Sequence, residues 1–347
     1  DRMFTPVVRR VVVAAIAGAT AIGIAAVPAF ATTTKPVTRL AGSDRIGTGV
    51  AISTQEFPAA HSAKNVILTA AYTFPDAMSA GPLGKLFTAP LLLTSPGALD
   101  TATLTEIERV MPVPATTPGT TTTGCTTPAP ANAVYVIGGY AAIAQTIDTT
   151  LNTAGFNVVR VAGADRFGTS VAVAKCEGSP STVFLATGDI FADALSAGPA
   201  AASKGGSVLL TASTVMPLEV STYLAGLTSP TVYAVGQAAH VADPGASAIV
   251  GGDRYATAAL VASQFFPSPT LVGIATGANF PDALAGGAYM GLVGGPVLLT
   301  GPLVLQSADG LLIGQNNATL TQAFLFGGTL TLSPLIATQA SAALNQS

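Results

Sequence analysis

One block of residues occurs three times along the chain, and that repetition constrains the fold more than any other feature. RLAGSDRIGTGVAIS (Arg39 to Ser53) returns as RVAGADRFGTSVAVA (Arg160 to Ala174) and as AIVGGDRYATAALVA (Ala248 to Ala262). A Phe-x-Asp block follows each: TFPDAMSAG from Thr73, IFADALSAG from Ile190 and NFPDALAGG from Asn279. Then come APLLLT from Ala89, GSVLLT from Gly206 and GPVLLT from Gly295. VYVIGG, VYAVGQ and AFLFGG close the series, from Val134, Val232 and Ala323. Four blocks in one order, three times over, describe three copies of a single unit and a molecule of three lobes.

The first unit reads as alternating strand and helix. Val37 to Ala41 is extended, Arg45 to Glu56 has helical spacing, and Val66 to Thr69 is a β-branched run. Pro75 to Phe87 is expected to be a helix with proline in its first turn, where the missing N–H costs nothing. Leu91 to Thr94 and Val134 to Ile137 are further strands, followed by helices around Leu99 to Val110 and Ala141 to Leu151. Strands alternating with helices indicate an α/β fold built on parallel sheets. The copies divide the chain at 32–155, 156–245 and 246–347. The first is the longest, and part of its surplus is the Thr/Pro run PVPATTPGTTTTGCTTPAPAN at 112–132. Such a composition buries little apolar surface and reads as an extended loop or linker.

Residues 1–31 form a separate class of segment. Arg2, Arg9 and Arg10 make a basic start, Val11 to Val27 is uncharged, and Pro28-Ala29-Phe30-Ala31 supplies a small-x-small end. This is the pattern of a secretory signal peptide, with cleavage expected after Ala31. Its removal takes three arginines and one aspartate from a chain of 14 basic and 17 acidic residues. The remainder is acidic, which excludes the broad basic face of a nucleic-acid binder. Ala283 to Ala308 carries no charge, but its glycines and prolines argue for buried strands of a parallel sheet rather than a membrane span. Two cysteines in an exported chain suggest a Cys125–Cys176 disulfide, with two free thiols as the alternative.

A chain with 9% charged residues returns an aspartate to the same two places in every copy. Asp44, Asp165 and Asp253, and again Asp76, Asp193 and Asp282, fall where a strand gives way to a helix. Aspartate there caps helix N–H groups and meets the positive end of the helix dipole, a purely structural role. Ligands of open parallel sheets gather at the same rim. Arg45, Arg166 and Arg254 recur directly after the first aspartate, and a guanidinium can take a phosphate or carboxylate bidentately. The structural alternative for each is an ion pair within or between repeats.

The series G-[SAG]-D-R-[IFY], F-[PA]-D-A-[ML]-[SA], [PS]-[LV]-L-L-T and [VF]-G-[GQ] resembles the cell wall binding repeat type 2 family of Gram-positive bacteria. The likeness covers essentially all of the chain beyond the first segment. It implies a pseudo-threefold assembly of Rossmann-like repeats in a secreted, wall-associated protein. It also implies non-covalent attachment through an anionic secondary polymer, a polysaccharide of the teichoic-acid-like kind. The family's Pro-Ile-Leu-Leu motif maps onto Pro90-Leu91-Leu92-Leu93 and Pro296-Val297-Leu298-Leu299, whose side chains are expected in strand cores. The middle copy departs, with Ser207, Ala192 and Gln237 where proline, proline and glycine are expected.

A peptidoglycan hydrolase is the rival reading, and a structural or adhesive surface protein the third. His61 and His240 sit at unmatched positions without metal-ligand spacing, and no H-E-x-x-H, G-x-S-x-G or phosphate loop is present. Ser43 precedes an aspartate without a repeated histidine to activate it. The residues therefore call for no metal and no cofactor. The absence of tryptophan leaves the usual stacking platform for neutral sugars unavailable. A non-catalytic binding protein for a charged polymer is the expectation.

Overall fold

A computed structural model describes residues 34–112, 117–126, 130 and 132–346; the expected signal segment and its cleavage point lie outside them. The first repeat begins with β1 (Val37–Leu40), α1 (Arg45–Glu56), β2 (Val66–Ala70) and a 3-10 turn (Ala77–Ser79). It continues with α2 (Leu83–Phe87), β3 (Leu91–Thr94), α3 (Thr101–Val110), β4 (Thr121–Thr123), β5 (Ala133–Ile137) and α4 (Gln145–Thr153). The second holds β6 (Asn157–Val161), α5 (Arg166–Cys176), β7 (Thr182–Thr187), α6 (Ala192–Lys204), β8 (Ser207–Thr211), α7 (Leu218–Ala225), β9 (Thr231–Val235) and α8 (Gln237–Ala242). The third holds β10 (Ser247–Ile249), α9 (Arg254–Phe265), β11 (Leu271–Thr276), α10 (Pro281–Val293), β12 (Val297–Thr300), α11 (Ser307–Gln315), β13 (Gln322–Phe326) and α12 (Pro334–Leu344).

Three parallel sheets result, in the orders β3-β2-β5-β6-β4, β8-β7-β9-β10 and β12-β11-β13-β1. The fold is thus α/β, with one strand order used three times. Sheets and sequence repeats are offset by one strand. β6 of the second repeat completes the first sheet, β10 of the third completes the second, and β1 of the first completes the third. The last pairing aligns Val37 with Ala323 and Leu40 with Phe326. The central strands are buried along their whole length, as VILTA and AVYVI are in the first sheet. Helices on both faces require such continuous apolar runs.

The lobes meet around a pseudo-threefold axis marked by the phenylalanines of the Phe-x-Asp blocks. Phe74 lies 5.7 Å from both Phe191 and Phe280, and those two rings are 6.2 Å apart. The central helical segments pack through small residues; a Cβ on Gly81 would come within 3.1 Å of the Gly198 backbone. α10 is buried at every position from Pro281 to Gly291. Ala283 to Ala308 is therefore mostly not the buried strand expected, since only Val297–Thr300 is extended. A helix walled in on all sides has no polar face, so its sequence loses the period that would identify it. No helix among the described residues is long and apolar enough to cross a membrane.

Two further differences are local. Pro75 to Phe87 forms the short turn and α2 instead of one helix, although α6 runs unbroken through the matching Pro199. The interruption falls at Ala80–Pro82, and the stretch beyond the proline is helical in both copies. The Thr/Pro run contributes β4, an edge strand on β6 with Thr121 paired to Val158. Cys125 and Cys176 form a disulfide with a Cα–Cα distance of 5.2 Å, tying this insertion to the end of α5. Backbone hydrogen bonds and a crosslink hold the described part of the insertion, and neither depends on apolar composition.

Candidate functional site

Asp44, Asp165 and Asp253 are the N-caps of α1, α5 and α9. Asp44 accepts from the Gly47 N–H at 2.8 Å, and Asp165 from those of Phe167 and Gly168, both at 2.9 Å. Asp253 accepts from Tyr255 at 3.0 Å and Ala256 at 2.8 Å. Each such cap contributes about 1 kcal/mol. Each carboxylate takes up one or two of the leading donors of its helix.

Arg45, Arg166 and Arg254 each donate from Nη1 to the carbonyl just beyond a central strand. The acceptors are Ala71 after β2 at 2.8 Å, Gly188 after β7 at 2.6 Å and Gly277 after β11 at 2.7 Å. Among the described residues none has a carboxylate within 4.0 Å, and the ion pairs are Arg109–Glu106 and Arg160–Asp148. The Arg45 guanidinium lies 4.8 Å from the Tyr72 ring centre and 6.0 Å from that of Phe280. That of Arg254 lies 5.6 Å from Phe191. Each contact involves a cation held against an aromatic face at the junction of lobes.

The second set of aspartates is placed differently. Asp76, Asp193 and Asp282 make no side-chain cap; the latter two lie inside the first turn of α6 and α10. Their carboxylates press against the first glycine of the last block. A Cβ on Gly138, Gly236 or Gly327 would meet Oδ2 of Asp76, Asp193 or Asp282 at 2.9, 2.0 and 2.4 Å. Burial pushes Asp193 and Asp282 up to about 6, with Arg254 and Arg45 pulling them back down. The partners come from successive repeats: Arg254 of the third acts on Asp193 of the second, and Arg45 of the first on Asp282 of the third. The sites are composite.

In the third lobe these groups line a cleft of about 350 Å³ that includes Asp44, Arg45, Thr48, Asn279, Asp282 and Thr331. It opens beyond the carboxyl ends of β1, β11 and β13, beside the point where the strand order reverses. Hydroxyl and amide side chains there can bond a hydroxyl-rich ligand. The Arg45 N–H groups not directed at Ala71 can meet one acidic group.

A family model described as cell wall binding domain 2 (CWB2) matches residues 39–148, 160–244 and 248–337. The chain belongs to the CWB2 family. Over 309 residues it is 26% identical to N-acetylmuramoyl-L-alanine amidase LytC of Bacillus subtilis (strain 168), a match covering 87% of this chain and 58% of that protein. Over 179 residues it is 30% identical to the amidase enhancer of the same organism, covering 52% of this chain and 22% of the enhancer. Cwp6 from Clostridium difficile superimposes with a TM-score of 0.78 at 22% identity, over 90% of this chain and 48% of that one. Cwp8 from the same organism gives 0.75 at 22% identity, over 89% and 52%. The CWB2 chain thus spans little more than half the length of LytC and about half of each solved neighbour.

Two arginines escaped the sequence reading of this CWB2 chain. Arg39 on β1 donates to the carbonyls of Gly327 at 2.7 Å and Ser333 at 3.4 Å. Arg160 on β6 donates to those of Gly138 at 2.9 Å and Ile143 at 3.0 Å, and pairs with Asp148. Each clamps the Gly-Gly loop of the lobe its strand completes. Their shared first place in the repeat block was the available signal, lost in the third copy to Ala248. The motif leucines, with Pro90, Pro296 and Val297, are buried in or beside β3 and β12. Pro90 and Pro296 offer carbonyls to the N–H groups of Ile67 and Gly273. Proline suits the start of an edge strand, where its own N–H is not needed.

Proposed function

We propose that this CWB2 chain is a non-catalytic protein that attaches to the Gram-positive wall by holding an anionic, teichoic-acid-like secondary polymer at the strand-end clefts of its lobes. The observation that carries this reading is the state of Arg45, Arg166 and Arg254, which recur at the strand ends and make no carboxylate ion pair within 4.0 Å among the described residues, with Asp282 and Asp193 acting on Arg45 and Arg254 only at longer range. Each keeps N–H groups for a phosphate or carboxylate, while Asp44, Asp165, Asp253, Asp76, Asp193 and Asp282 hold the surrounding loops and offer bonds to hydroxyls. Repeated weak contacts along one polymer would add through effective concentration. A secreted, wall-associated location follows from this role.

The test is sedimentation with purified walls before and after acid extraction of secondary polymers. Binding that falls on extraction, and falls again on charge reversal at Arg254 when assayed well below the melting temperature of that variant, agrees with the proposal. Undiminished binding to extracted walls refutes it. The likeness to an amidase and an amidase enhancer supports a second reading, a module serving a wall hydrolase. Clearing of wall turbidity by the chain alone would favour catalysis instead.

A further inference from the structure

The seam between the first two lobes contains a feature that polymer binding does not use. Glu56, Glu177 and Phe265 hold the same place in their repeats, equally far beyond Arg45, Arg166 and Arg254. In the third repeat the place is filled by a ring: Phe265 packs on Phe184 at 4.9 Å and on Tyr233 at 5.0 Å. In the other two it holds a carboxyl group. Both Glu56 oxygens, and Oε1 of Glu177, are buried with no hydrogen-bond partner among the described residues. An unpartnered buried acid is destabilising, and a phenyl ring demonstrably suits the position.

Glu177 also has a cavity, of about 340 Å³, lined by Pro82, Lys85, Leu86, Glu177, Ala202 and Gly205. The volume is that of a small-ligand pocket. Its walls come from α2 of the first repeat and the ends of α5 and α6 of the second. Ser207, which replaces the proline found in the other copies, donates its hydroxyl to Glu177 Oε2 and so fixes the carboxyl, with Oε1 left buried and unpartnered at the cavity. Burial pushes Glu177 up to about 8, and a cation beside it would bring it back down. Lys85 is exposed and supplies the opposite charge. Pro82, Leu86 and Ala202 give the cavity its apolar surface.

The geometry points to a binding site for a small zwitterion, an α-amino acid with an apolar side chain, whose ammonium meets Glu177 and whose carboxylate meets Lys85. Neither a bare amine nor a bare acid satisfies both charges. The aliphatic side chain lies against Pro82, Leu86 and Ala202. This site is separate from the strand-end clefts, so wall binding and amino-acid binding can fail independently.

Saturation-transfer NMR and calorimetry with L- and D-leucine test it, using leucinamide and 4-methylpentanoate as probes that each lack one charge. One leucine enantiomer is expected to bind at millimolar concentration. Each single-charge probe is expected to bind about tenfold more weakly or worse, the loss of one charge-assisted contact. Glu177→Gln should abolish leucine binding with the fold intact, and Lys85→Met, at an exposed position, should weaken leucine but not leucinamide. No saturation transfer from either enantiomer overturns the proposal. So does leucinamide binding as tightly as leucine, or a Glu177→Gln variant that binds like the parent.

Discussion

Replacing Gly327 with alanine isolates the reason for the recurring glycine in the last block. Gly327 has φ +113°, outside the range that L side chains favour, and holding alanine there costs about 1–3 kcal/mol. Its Cβ would also lie 2.4 Å from Asp282 Oδ2 and 2.5 Å from Thr331 Oγ1. Moving either group out of a packed cleft adds about 1–3 kcal/mol. The expected destabilisation is therefore about 2–6 kcal/mol, a large share of the roughly 5–15 kcal/mol typical of a folded domain. Gly328 provides the internal control, because a Cβ there meets nothing within 4 Å. The middle copy already carries a side chain at that second position, Gln237. Urea unfolding followed by circular dichroism, which needs no tryptophan, should place Gly327→Ala well below the parent and Gly328→Ala beside it. Equal midpoints for the two variants would refute the account of the motif.

Other perturbations probe separate parts of the molecule. Reducing the Cys125–Cys176 bridge should lower stability by about 4 kcal/mol in the chain-entropy model, read as a fall in urea midpoint with a steeper slope, because the unfolded chain without its crosslink exposes more surface. Glu177 and Asp309 are pushed to about 8, and Asp193 and Asp282 to about 6, chiefly by burial. The folded chain therefore keeps these protons to higher pH than the unfolded chain, and stability should fall as pH rises from about 4 through about 8. Melting at pH 5 should exceed melting at pH 8, and Asp309→Asn should flatten the difference. Arg254→Met removes the bond to the Gly277 carbonyl and the cation beside Asp193. It should destabilise the chain by roughly 1–3 kcal/mol and raise the Asp193 pKa further, which carboxyl NMR would detect.

The repeated blocks exposed the unit, its strands and its rim aspartates because the same residue types return in register. They could not show which unit supplies a neighbour's partner. Arg45 and Asp282 stand at opposite ends of the sequence, and a single copy contains no trace of their meeting. Arg39 and Arg160 were hidden because an isolated arginine in a short strand reads as an edge residue facing water. Their role depends on a loop contributed by the preceding repeat, or, for Arg39, the last. α10 was obscured for the opposite reason, since uniform small apolar residues suit a helix and a strand alike. β4 was hidden because its pairing is made by the backbone, about which threonine composition is silent.

The seating of β1 beside β13 makes the molecule a closed circuit. A solenoid can gain or shed a unit at either end because each contacts only its neighbours. Here the opening strand is the missing edge of the final sheet, with Arg39 reaching across to Gly327 and Ser333. Lopping off one unit would leave two exposed seams rather than a shorter version of the same object. Three is thus the indivisible count for this architecture, and a repeat grows from within, as the threonine-rich excursion beside β6 has done.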